Sequence, residues 1–323
     1  MGRHPMSTIT PIVAALRPAL TASERAHLLA LAELRLIDVD AARSALSSPE
    51  STEGAALLDP ERTEAGIAEA ALRISVRNHM AGLKEAFLLA RTALIERAAL
   101  ERGRRVRLAG ETVNLSALLL AHERVLARHT QRIGDLMGRL NLSPAGGELP
   151  AAARDRIGAL LGFAKADAST RDALTARDHL VELAHLHAGT ASSLARVHGE
   201  IAALGTEVAI DDAPIDLAAA AADALGAGLA LEASGGEPLQ QAERSWTIGA
   251  RVIAALRAVA ESVPGLRIPS DVDDAADAVA QDAAESVAID EVRQHRELLN
   301  ALGLQLADAS LELDEAIEAL LEG

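Results

Sequence analysis

The sequence has no cysteine and no tyrosine, and only two phenylalanines and one tryptophan. Without thiols there is no disulfide framework, thiol nucleophile or Cys-ligated metal, which agrees with the cytoplasmic setting expected here. With so few aromatics, the core of a 323-residue chain must be built from Ala, Leu, Val and Ile at close helix spacing, and an all-α protein follows. Positive charge is also in deficit. The formal net charge of −16, with acidic residues crowded between Glu261 and Glu291, repels phosphate backbones and anionic lipid, so neither nucleic acid nor a membrane is expected as a partner. No stretch reaches the roughly 18 apolar residues of a membrane span. The start, MGRHPMSTITPIVAAL, carries no apolar run before a cleavage site, and Met6 is an alternative first residue.

Helical periodicity is what the chain does have. From Leu174 to Leu204 a seven-residue repeat places Leu180, His187, Leu194 and Ile201 at one heptad position and Leu183, Thr190, Val197 and Leu204 at another. This reads as one helix roughly 45 Å long at 1.5 Å per residue, whose natural setting is a bundle. A second long helix is predicted from Pro60 to Arg102, with Val76, Met80, Leu83, Phe87, Ala90 and Leu94 on one apolar row and Ile74, Ala81, Leu88 and Ile95 on another. A third starts at ETVNL, Glu111 to Leu115. In it Leu115, Leu119, His122, Leu126, His129, Ile133, Leu136 and Leu140 recur at four-three spacing, so both histidines face inward.

Shorter elements fill the remainder. Ser23 is placed as the cap of a first helix, and another helix follows Asp38. Ser47–Glu61 and Ser143–Pro150 read as loops, a short helix runs to Leu161, and an Ala-rich helix follows Gly205 to Leu231. One more helix surrounds Trp246 to Val263, and two end the chain. Three regions are expected: 1–60 N-terminal helices, 61–263 the long-helix bundle, and 264–323 a reduced C-terminal part. Apolar rows on more than one side of such helices favour assembly of several chains.

Four stretches then carry a resemblance. ISVRNHM, Ile74 to Met80, is similar to S-R-N-D-Q-V at the start of a long helix. DLMGRLNLSPAGG, Asp135 to Gly147, resembles D-x-x-x-R-x-N-V-S-P-L-G. LLGFAKADASTRDALTARDHLVEL, Leu160 to Leu183, resembles L-G-F followed by N-S-x-D-A-V-S-D-R-D-F, with Asp172, Ala173, Arg177 and Asp178 in matching places. SERAHLLALAEL, from Ser23, is similar to S-x-A-H-x-x-M-L. Together they resemble the fumarase and aspartase superfamily, and within it argininosuccinate lyase. The resemblance implies a long-helix bundle, here shortened at its C-terminal end, a homotetramer, and a small carboxylate-bearing ligand. It also implies elimination of fumarate, which needs a base, an acid and a carboxylate cradle. Part of that set is missing: the family's Thr-His pair falls on Arg105 and Val106, its serine-bearing loop falls near Gly226 to Pro238, and its Y-N-K-D segment falls on SDVD, Ser270 to Asp273.

Candidate site residues follow, each with an alternative. Arg77 and Asn78, with Arg177, are the substrate-binding candidates, because a guanidinium fork binds a carboxylate bidentately; the alternative for Arg77 is an interhelical ion pair. His79 and His122 are the catalytic candidates. His129 and His187 are pocket candidates, and the inward histidines His122, His129 and His187 form a buried polar layer, a proton relay or a metal site, or are satisfied core residues. Glu182 and His185 supply one Glu-x-x-His pair where a di-iron site needs two, and the glycine pairs match no phosphate-binding motif, so neither metal nor cofactor is expected. Two functions are open: a diverged lyase holding a carboxylate or amino-acid-like ligand, or a non-catalytic helical subunit.

Overall fold

Long apolar rows with few internal breakers fold here as helices. The computed structural model describes residues 11–47, 57–58, 60–145, 149–166, 169–176, 178–204, 223, 238–266, 272–273 and 278–322. In chain order they form α1 (Pro11–Glu33), α2 (Val39–Ser47), α3 (Pro60–Leu100), β1 (Arg104–Leu108), β2 (Glu111–Asn114), α4 (Leu115–Leu140), β3 (Leu142–Ser143), α5 (Ala151–Leu160), β4 (Lys165–Ala166), α6 (Thr170–Thr175), α7 (Asp178–Ala203), α8 (Pro238–Ser262), β5 (Val272–Asp273) and α9 (Ala278–Glu322). The helical expectation holds, and the three long helices are present.

Several boundaries differ from the sequence reading. Ser23 lies inside α1, which begins at Pro11, so it caps nothing; its carbonyl instead meets His27 Nδ1 at 2.7 Å. The central helix is broken before Asp178, leaving α6 as a separate turn capped by Ser169. The basic run after Gly103 is a strand that pairs antiparallel with β2 and with β5. Its two-residue turn is Ala109 and Gly110, both at positive φ (51° and 90°), which suits the right-handed twist of a hairpin. The last two predicted helices are one, α9, which continues through Gly303. The predicted Ala-rich helix after Gly205 and most of the Ser47–Glu61 loop lie outside the described residues.

The chain divides into two units. The first contains 1–79, 137–179 and 301–323, and the second contains 80–136 and 180–300. In the first, Leu28, Leu29 and Leu31 of α1 pack with Ile157 and Leu160 of α5, Phe163, and Leu313 and Ile317 of α9. Arg156 binds Glu33 at 2.8 Å and also Glu312, tying α5 to α1 and α9. In the second unit the whole predicted α4 row from Leu115 to Leu136 is buried, as are Leu180, His187, Leu194 and Ile201 of α7. Their burial confirms the helical phase that the spacing gave.

Candidate functional site

Helix α5 ends in a Schellman turn, with Gly162 N–H donating to Ala159 O (2.9 Å) and Phe163 N–H to Gly158 O (2.9 Å). Gly162 is required there. Its φ is +67°, and a Cβ would come within 3.1 Å of Ala309 Cβ and 3.2 Å of Leu306 Cδ2 in α9. The turn leaves the carbonyls of Leu161 and Gly162 pointing away from the helix, and Arg77 meets both. Nη2 donates to Leu161 O at 3.1 Å, and Nη1 donates to Gly162 O at 3.0 Å and to Asn141 Oδ1 at 3.2 Å. The guanidinium also lies over the Phe163 ring, 4.9 Å from its centre. Three of the stretches that carried the resemblance, around Arg77, Asn141 and Leu161–Phe163, therefore converge on one side chain. Arg77 is buried, and burial pushes its pKa down to about 10. Its charge faces the negative end of a helix dipole.

Asn78, the next residue, is exposed, and His79 is half-buried. Burial lowers the His79 pKa to about 4, so its imidazole is neutral at neutral pH. Arg177 lies outside the described residues, as does most of the segment aligned with the serine-bearing loop. Arg105 and Val106, where the resemblance puts a Thr-His pair, stand in β1.

The inward histidines belong to the second unit and form rungs between helices. His129 Nε2 lies 3.0 Å from Ser193 Oγ. Ser193 donates its own hydroxyl proton to Gly189 O at 2.9 Å, so its oxygen accepts and His129 carries its proton on Nε2. Nδ1 then receives Arg132 Nη1 at 3.2 Å. Burial, then Arg132 and Arg128, hold this imidazole neutral with a pKa of about 4. Seven residues earlier on α4, and seven later on α7, His122 Nε2 meets Glu200 Oε2 at 3.1 Å. Burial lowers the His122 pKa, Glu200 opposes that shift, and Arg196 adds to it. His187 reaches across to α8, with Nδ1 3.2 Å from Ser245 Oγ. His129 and His187 are thus hydrogen-bonded interhelical rungs, while His122 is an imidazole facing a carboxylate.

Other buried charges escaped the sequence reading. Arg91 of α3 is fully buried and donates to Glu123 Oε1 at 2.7 Å and Glu291 Oε2 at 3.0 Å. Arg73 binds Glu69 at 3.1 Å and donates to the carbonyls of Leu142 and Ala173, both at 3.0 Å. Lys84 is also buried. A signal for two of these was available: Lys84 and Arg91 interrupt the Ala81, Leu88, Ile95 row at four-three spacing.

No family model matches the sequence. Argininosuccinate lyase of Haloarcula marismortui is 28% identical over 232 residues, which is 59% of this chain and 46% of that protein. The Methanosarcina mazei enzyme of the same name is 30% identical over 142 residues, 40% of this chain and 28% of that one. These matches thus span less than half the length of either relative. A crystal structure of EDDS lyase in complex with formate superposes with a TM-score of 0.69 at 18% identity, covering 96% of this chain and 92% of that one. A fumarate lyase:delta crystallin from Brucella melitensis bound to cobalt gives 0.66 at 11% identity, with coverage of 98% and 93%. Identity this low conveys the fold alone, but it is the fold that the partial sequence matches point to. The fold and the partial sequence likeness to argininosuccinate lyase together support the resemblance to the fumarase/aspartase superfamily.

Proposed function

We propose that this chain is a self-associating lyase-fold subunit, cytoplasmic and most simply a homotetramer, in which the fumarate-releasing elimination has been lost. The carrying observation is the engagement of Arg77. The cation best suited to a substrate carboxylate makes three hydrogen bonds to the end of α5 and to Asn141, so it serves the scaffold. The replacement of the family's Thr-His pair by Arg105 and Val106 supports the same reading, since each absent acid-base group forgoes about a hundred- to ten-thousand-fold in rate. Assembly is supported by α9, where Val287, Leu298, Leu304 and Leu311 are 55–66% exposed on a helix of 45 residues. No helix among the described residues is long and apolar enough to cross a membrane.

The test has two arms. Light scattering at micromolar concentration should report an oligomer, and ultraviolet absorbance should show no fumarate from argininosuccinate, adenylosuccinate or aspartate. A well-folded monomer, or turnover at enzymatic rates, overturns the reading.

A second reading, a carboxylate-binding enzyme of altered chemistry, is supported by the His122–Glu200 pair, an imidazole nitrogen 3.1 Å from a carboxylate oxygen. It requires a dicarboxylate or amino acid that raises the melting temperature of the wild type, an effect lost in Glu200→Gln. A panel that shifts nothing removes it.

A further inference from the structure

Two exposed helix faces of this chain carry opposite charge at the same spacing. On α4, Ala117, Ala121, Arg124, Arg128, Gln131 and Asp135 recur at four-three spacing and are all exposed, so they form one outer stripe. Arg132 stands exposed beside it, as does Arg196 of α7, a helix held to α4 by His129 and Ser193 at 3.0 Å. Arg132 Nη1 donates to His129 Nδ1 at 3.2 Å, but none of these four arginines makes an ion pair among the described residues. Asp135 closes the far end of the stripe, and Glu200, one turn from Arg196, faces His122 at 3.1 Å. In a chain of net charge −16, a face of unpaired arginines is the exception. Helix α9 carries the complement. Leu304, Asp308, Leu311, Glu315, Glu318 and Glu322 follow the same four-three spacing, all exposed, on the side away from the buried Ala309, Leu313 and Ile317. Glu312 and Asp314 are held by Arg156 and Arg25, whereas Asp308, Glu315, Glu318 and Glu322 make no ion pair among the described residues. No basic residue follows Arg296 in the sequence to offset them.

We propose that the outer stripe of α9 in one copy docks on the α4–α7 arginine face of a second copy, an inference that rests on the self-association proposed above. The two stripes are equally long, about 27 Å at 1.5 Å per residue, and each supplies what the other lacks. Leu304 and Leu311 gain cover from the alanines and from the aliphatic stems of the arginines, while the acids of α9 meet the guanidinium groups. Pairing α9 with its own copy would instead set acid against acid, and like charges facing across an interface select against that arrangement. Each copy offers both faces, so the contact forms twice about a two-fold axis and leaves neither stripe over.

The experiment uses the full chain and light scattering at micromolar concentration. Arg124→Glu with Arg128→Glu should lower the mass, and so should Glu315→Arg with Glu318→Arg, each weakening association by at least about tenfold because like charges then face each other. All four positions are exposed, so the helical circular dichroism should be kept. Mixing the two variants should restore the wild-type mass, since each then meets a stripe of opposite charge, a rescue that a folding defect would not give. Should the α4 reversal fail to fold, Arg124→Gln with Arg128→Gln takes its place, with a smaller fall in mass expected. A monomeric wild type removes self-association and this contact together. An oligomeric wild type whose mass survives the α4 reversal removes this contact alone, and so does a mixture that stays dissociated. An oligonucleotide bound by the wild type and lost by the α4 reversal, with the mass unchanged, assigns the arginines to an outside polyanion and also overturns the proposal.

Discussion

Replacing Arg77 by alanine removes three hydrogen bonds made by a charged donor and uncovers the end of a helix. Gly162 O keeps one contact, from Gln305 Nε2 at 3.3 Å, but Leu161 O and Asn141 Oδ1 lose the partner described above. A buried acceptor left unmatched costs about 1–3 kcal/mol, and the lost contact with the Phe163 ring adds about 0.5–2 kcal/mol. Against this, the variant no longer desolvates a guanidinium, whose lowered pKa records that penalty. The expected net loss is about 2–4 kcal/mol, measured as a fall in the urea midpoint at fixed protomer concentration, because association contributes to apparent stability. A local readout separates this from a general weakening: the Gly162 and Phe163 amides, which donate within the Schellman turn, should lose hydrogen-exchange protection first. Arg77→Lys should recover only part of the loss, since one ammonium does not reproduce the fork on two adjacent carbonyls. A stability change within about 0.5 kcal/mol, with exchange at the turn unaltered, would refute the scaffold role and return Arg77 to the ligand reading.

Three further outcomes follow from the same geometry. His27 and His129, both held near a pKa of about 4 chiefly by burial, are neutral in the folded chain, whereas the unfolded chain protonates near 6.5; stability should therefore fall as pH drops from about 6.5 to 4 and be indifferent to these groups above that window. Urea midpoints across that range check the sign, and His27→Gln should flatten the slope. Arg91→Met strands buried Glu123 and should cost about 3–5 kcal/mol, while Arg91→Met with Glu123→Leu should recover most of it, a double-mutant cycle by chemical denaturation being the measure. Leu304→Glu with Leu311→Glu, on the exposed side of α9, should lower the mass seen by light scattering and leave the helical circular dichroism of the chain intact.

Which features were legible in the sequence depended on whether one physical cause dominated locally. The α4 and α7 rows were legible because burial of leucine imposes its period even where His122, His129, Thr190 and His187 interrupt it; His129, Thr190 and His187 find hydrogen-bond partners without turning the helix. Thr190, for example, donates to Leu186 O at 2.7 Å within its own helix. The β1–β2 hairpin was not legible. Val106 is its buried hydrophobic residue in β1, the arginines around it hide the alternation, and the turn places alanine at positive φ, where Asn or Gly would have announced it. Gly303 lies within α9, since a glycine at an exposed helix position costs about 1 kcal/mol without ending the helix.

Arg77 shows a different kind of limit. A charged residue on an apolar row implies a counter-charge, and sequence reasoning supplies two kinds, a side-chain carboxylate or a ligand. The carbonyl end of a helix is a third, equivalent to about half a negative charge fixed in position. It becomes visible only when another segment is brought alongside, and here that segment lies more than 80 residues away, at Leu161 and Gly162. The L-G-F stretch carried the necessary clue, because a glycine just past a helix followed by an apolar residue marks a Schellman end with exposed carbonyls. Arg77 and Gly162 thus act as a pair, one supplying donors and the other presenting an acceptor.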